Sequence, residues 1–148
     1  MIETRTIFFD MDGTIADLYG VENWLENLIN SNPMPYAEAK PMLRFSTLAR
    51  YLNKLQREGF RIGIISWLSK SGTEEYNIAV TETKLAWLAK HLPSVQFDEI
   101  NIVTYGTPKY EFAHTINDIL FDDEIGNRMN WVGQAYDVDN IIEVLKNL

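Results

Sequence analysis

Short β-rich runs alternate with longer helical patterns along this chain, and that alternation constrains the fold more than any other feature. The runs TIFF (6–9), FRIGIIS (60–66), INIVTY (100–105), DILF (118–121) and WVGQAY (131–136) read as buried strands. Between them Val21, Trp24, Leu25, Leu28 and Ile29 fall at helical spacing, as do Phe45, Leu48, Leu52 and Leu55. A third helix is predicted from SGTE, where Ser71 and Glu74 have capping-box spacing, through Tyr76, Val80, Trp87 and Leu88 toward Pro93. A last one carries Val138, Ile141, Ile142 and Leu145. Strands separated by helices pair in parallel through crossovers, so the expected architecture is α/β: a three-layer, doubly wound sheet of about five parallel strands. In such sheets ligands sit beyond the carboxyl ends of the strands.

The length of 148 residues suits one domain, 1–148, which buries roughly 70% of its unfolded surface. Its one compositional break is NSNPMPYAEAKPM (30–42), where Pro33, Pro35 and Pro41 interrupt any helix, so residues 18–43 read as a small insertion after the first strand. The absence of cysteine excludes disulfides and thiolate metal sites and suits a reducing cytoplasm. MIETRT lacks the basic-then-apolar pattern of a signal peptide, and no apolar run is long enough to span a bilayer. A cytoplasmic protein without a membrane segment is expected. The net charge of −8, with no cluster of Lys and Arg, argues against extended nucleic-acid binding. A small phosphorylated substrate remains compatible, because a divalent cation and a few local donors reverse the field inside a pocket.

The stretch FFDMDGTIAD (8–17) crowds Asp10, Asp12 and Asp17 behind an apolar run. The first strand would deliver Asp10 and Asp12 to its end, the second Ser66, and the fourth Asp122 and Asp123, while Lys109 would open a helix after the third. Four carboxylates converging on one sheet edge repel one another, which a bound cation relieves; oxygen ligands without sulfur point to Mg²⁺. A solvated turn is the plain alternative. An EF-hand starting at Asp10 is excluded, since the positions that need Gly and Glu hold Ile15 and Val21.

DMDGT resembles the first motif of the haloacid dehalogenase-like phosphohydrolases, and the resemblance continues in order with Ser66 in GIIS, Lys109 in GTPK and the acidic pair of ILFDD. It implies that Asp10 attacks phosphorus and forms an aspartyl-phosphate, so one difficult displacement becomes two easier ones. Asp12 would protonate the leaving alkoxide and then take a proton from water, which needs a pKa well above the ordinary value of about 3.9. Thr14, Ser66 and Lys109 would serve the phosphate, Thr14 also orienting Asp12. Asp10, the Asp12 main chain, Asp122 and Asp123 would hold Mg²⁺, Asp123 directly or through water.

On the same pattern residues 18–43 stand where larger members carry a cap, which resembles the minimally capped branch. An open site suits larger substrates, or a homo-oligomer whose partner subunit completes the pocket. FDD followed by Asn127 resembles deoxynucleotidase-like members, with Trp24, Tyr36 and Trp67 available to stack on a base. Helical spacing puts Trp24 and Trp87 in the core. Asp17 reads as a turn cap, and His91 and His114 as structural or surface groups. The implied activity is Mg²⁺-dependent hydrolysis of a small phosphate ester. The alternative is a regulatory module of the same fold that binds metal and phosphate without turnover.

Overall fold

The apolar runs line up side by side because the chain returns to the starting edge of the sheet after each of the first four, through α-helices after the first, second and fourth and a 3₁₀ turn after the third. A computed structural model describes residues 4–148, so the first three residues, with which the N-terminal reading begins, lie outside the described residues. In chain order the first elements are β1 (Thr6–Phe9), β2 (Ala16–Asp17), α1 (Trp24–Ile29), α2 (Met34–Glu38), β3 (Lys40–Pro41) and α3 (Phe45–Arg57). Then follow β4 (Arg61–Trp67), α4 (Glu74–His91), β5 (Glu99–Val103), β6 (Ile119–Phe121), α5 (Ile125–Asn130), β7 (Gln134–Tyr136) and α6 (Ile141–Lys146). The main sheet has the order β5-β4-β1-β6-β7, every pair parallel. The chain winds outward from β1 to β5, then crosses back to place β6 on the other side of β1. The reversal opens a crevice at the end of β1.

Alternation along β1 sends Ile7 and Phe9 to one face and Phe8 to the other. The first face packs Leu48, Leu52 and Leu55 of α3, Trp87 and Leu88 of α4, and Ile141 and Leu145 of α6. The second is thinner, closed by Trp131 just after α5, with Phe112 and Ala113 against it. Thus the sheet is covered on both sides, but unequally. Asp118, fully buried at the start of β6, accepts the Thr6 N–H at 2.9 Å and the His114 N–H at 2.7 Å, locking the lower edge.

The predicted insertion is present, and its base is closed by a feature the sequence did not suggest, an antiparallel ladder of β2 with β3. Leu18 and Tyr36 pack against Leu68, Tyr76 and Val80, a second small core that ties the insertion to α4.

Several local expectations are corrected. The N-cap of α4 is Thr73, whose Oγ1 accepts the Tyr76 N–H at 3.1 Å; Ser71 sits upstream at φ 64° and caps nothing. The segment opened by Lys109 is a 3₁₀ turn, Lys109–Phe112, and not an α-helix. No residue of α1 is buried: Leu25 is 52% and Ile29 71% exposed, while Leu28 is partly buried against the small core of the insertion. Trp24 accordingly lines the cleft and is no core residue, whereas Trp87 is buried, its Nε1 donating to the Ala39 carbonyl at 2.7 Å.

Candidate active site

Parallel register assembles the site. Phe9 stands opposite Phe121, and the ladder runs one residue further, with Asp10 N donating to Phe121 O at 2.9 Å and Asp122 N to Tyr136 O at 3.1 Å. Asp10 and Asp122 therefore emerge side by side at the carboxyl edge. Past Asp10 the chain turns sharply: the Met11 carbonyl accepts the N–H groups of Thr14, Ile15 and Ala16. Gly13 makes this possible, at φ 79°, where a Cβ would also collide with the Asp123 carboxylate.

Asp10, Asp122 and Asp123 each bring a carboxylate oxygen within 4.8 Å of the others. Lys109 Nζ donates to Asp10 Oδ1 at 2.9 Å and Asp122 Oδ2 at 2.7 Å. Asp122 also accepts from Glu124 N at 2.9 Å and from Asn127 Nδ2 at 3.1 Å. Burial and then the Asp10 charge push the Asp122 carboxyl up to about 6 against the pull of Lys109, and the same two causes push Asp123 up to about 7. Burial acts to lower the Lys109 pKa, but Asp10 and Asp122 outweigh it and hold the ammonium above its ordinary range.

Asp12 belongs to a different network. Its Oδ2 accepts from Lys84 Nζ at 2.9 Å, so its side chain stands apart from the Asp10, Asp122 and Asp123 cluster. Burial pushes the Asp12 carboxyl above the usual carboxylate range; Lys84 pulls it back and Asp10 adds to the rise, with burial dominant. Lys84 also donates to Ser66 Oγ at 2.7 Å and to the Trp67 carbonyl at 2.8 Å. Lys84 escaped the sequence reading, although a signal was there: it occupies the buried stripe of α4 in step with Tyr76, Val80 and Leu88, where an apolar residue belongs.

Two expected phosphate contacts lie elsewhere. Thr14 is fully buried, donates to Asp10 Oδ2 at 3.0 Å and accepts the Asp123 N–H at 3.1 Å; it orients Asp10 and Asp123 rather than Asp12. Ser66 is also fully buried, behind Lys84. A short polar side chain on a covered strand end is captured by the nearest buried partner. Asp17 caps a turn as expected, accepting the Gly20 N–H at 3.0 Å.

Above the acids opens a cavity of about 570 Å³, lined by Asp10, Asp12, Lys109, Asp122 and Asp123 at one end and by Leu18, Tyr19, Trp24, Tyr36, Trp67 and Tyr105 elsewhere. Trp67 is held by its Nε1 donating to Thr107 O at 2.8 Å, with the Tyr105 ring 5.0 Å away. Lys109 Nζ lies 5.4 Å from the Trp67 ring centre, so the aromatic wall begins beside the charged end. The donor set suits a hard divalent cation: its free atoms are carboxylate oxygens, and Asp10, Asp122 and Asp123 against Lys109 leave a formal excess of two negative charges for it to balance.

These features define a haloacid dehalogenase-like α/β fold with a candidate aspartate cluster at the end of β1. Among solved structures the chain is similar to D,D-heptose 1,7-bisphosphate phosphatase from Burkholderia thailandensis, with a TM-score of 0.53 and 15% identity over 85% of this chain and 70% of that one. At this identity the likeness shows the fold. No protein-family model matches the chain, and no curated protein does. Among the described residues no helix is long and apolar enough to cross a membrane.

Proposed function

We propose that this chain is a Mg²⁺-dependent phosphomonoester hydrolase that works through an aspartyl-phosphate on Asp10. The observation that carries the reading is the meeting of Asp10, Asp122 and Asp123 at the end of a cavity, with Lys109 bridging Asp10 and Asp122. Asp10, Asp122 and Asp123 would hold Mg²⁺, which when bound neutralises phosphate oxygens that otherwise repel the incoming carboxylate. Lys109 spends two hydrogens on Asp10 and Asp122 and keeps a third for a phosphoryl oxygen. An Asp10 oxygen bonds to phosphorus as the ester P–O bond breaks, and Asp12 passes its proton to the departing alkoxide. Asp12 then accepts a proton from water, which attacks phosphorus and releases Asp10 and inorganic phosphate. A carboxyl raised by burial is suited to both steps.

The substrate is a small phosphorylated metabolite. Trp24, Tyr36 and Trp67 along the cavity support a planar leaving group, such as the nucleoside of a mononucleotide in the manner of deoxynucleotidase-like members. A cytoplasmic setting and a homo-oligomer that completes the pocket belong to the same reading, the latter supported by exposed Leu25 and Ile29 on α1.

The test is hydrolysis of an aryl phosphate, with and without Mg²⁺, by wild type and Asp10→Asn. Turnover should need both the metal and Asp10; equal rates in the two proteins refute the proposal. Ser66, turned away from the cavity, favours a second reading as a regulatory module that binds phosphate without turnover. Repeated turnover of any phosphate ester excludes it.

A further inference from the structure

The mechanism above leaves the buried charge of Lys84 unused. Lys84 is 1% exposed in the middle of α4, between the apolar cluster of Trp87 and Leu88 and that of Tyr76 and Val80. Such a position is unfavourable unless the ammonium is fully partnered. It is: the three hydrogens go to Asp12 Oδ2, Ser66 Oγ and the Trp67 carbonyl, at 2.7 to 2.9 Å, and the Tyr36 ring covers the head at 5.1 Å. An ammonium has three donors, so none is left for a substrate. Nor does Lys84 line the cavity, whereas Lys109 does.

We infer that Lys84 is a positioning residue for Asp12, anchored from behind by Ser66 and Trp67, and that the two lysines divide their labour. Lys109 meets the phosphoryl group. Lys84 fixes Asp12 through Oδ2 and so reserves Oδ1 for the ester oxygen. An aspartate at a turn otherwise samples several rotamers, and misplacement of a proton donor by about 1 Å can cost on the order of 100-fold. Ser66 then acts through Lys84, which explains why its hydroxyl is buried away from the phosphate pocket.

The inference rests on the hydrolase reading, and leaving-group dependence separates the two. An alkyl phosphate needs a proton on its departing oxygen, whereas 4-nitrophenyl phosphate departs as a stable phenolate. The ratio kcat/KM covers the steps up to the phosphoenzyme, so it isolates the role of Asp12 as acid. Lys84→Met should lose on the order of 100-fold in kcat/KM for the alkyl ester and less than about tenfold for the aryl ester, in the same sense as Asp12→Asn. Ser66→Ala, a smaller change that removes one anchor, should show the same asymmetry more weakly; it carries the test if Lys84→Met fails to fold by thermal melting. Active wild type with equal losses on both esters in the folded variant overturns the assignment of Lys84 alone. Wild type inert toward both esters overturns the hydrolase reading and the assignment with it.

Discussion

Asp10 and Asp12 are two positions apart, yet one is held by Lys109 and Thr14 and the other by Lys84. The turn that separates them depends on Gly13, the residue-scale feature most sensitive to change. Gly13→Ala imposes a left-handed conformation on a residue with a Cβ, at a cost of about 1–3 kcal/mol, and pushes Asp123 aside. The expected result is a lowered Tm together with weaker Mg²⁺ binding by titration calorimetry. A variant with unchanged metal affinity would show that Asp123 is free to move without loss. The meeting of Asp10 with Asp122 was legible at this scale because strand ends in a parallel sheet share one edge, and Lys109 joins them from the 3₁₀ turn after β5. The duties of Thr14 and Ser66 were not, since a hydroxyl takes whichever partner folding brings nearest.

Helix ends and strand limits belong to the next scale. The main strands begin and end within a few residues of the apolar runs, and α3 buries the expected Leu48, Leu52 and Leu55. The start of α4 was misread by two residues: Ser71 and Glu74 match the capping-box spacing, but Ser71 at φ 64° cannot cap, and Thr73 follows it with extended geometry. Thr73→Ala should therefore cost about 1 kcal/mol in chemical denaturation, and Ser71→Ala only a few tenths. The reverse order would restore the earlier cap. The insertion was harder still. Two-residue strands such as β2 and β3 carry no periodicity, and the apolar spacing of α1 cannot say whether its face meets a core or a cleft.

At the scale of the whole molecule, stability is tied to the acidic site. Asp122 and Asp123, raised to about 6 and 7, take up protons more readily folded than unfolded, so their ionisation penalises the folded state. Their cost is absent well below the ordinary carboxyl value of 3.8, grows as pH rises and is nearly complete above about pH 7. On the proposed reading Mg²⁺ would bind the ionised form and offset the repulsion, so saturating metal should raise Tm more at pH 8 than at pH 5, and EDTA should abolish the difference. Burial and then Lys90 lower the His91 pKa, which disfavours low pH. That contribution cancels when only the metal-induced increment is compared. An equal increment at both pH values would remove Asp122 and Asp123 from the metal site.

Pattern along the chain determined the parallel sheet and the edge at which its acids collect, because apolar runs, crossover helices and strand-end residues are local features whose consequence topology makes unique. Only the packed molecule decided which cation serves which acid. Lys84 and Asp12 lie 72 residues apart, and their contact follows from the seating of α4 on the sheet and on the insertion, a matter of helix rotation and side-chain fit that periodicity does not encode.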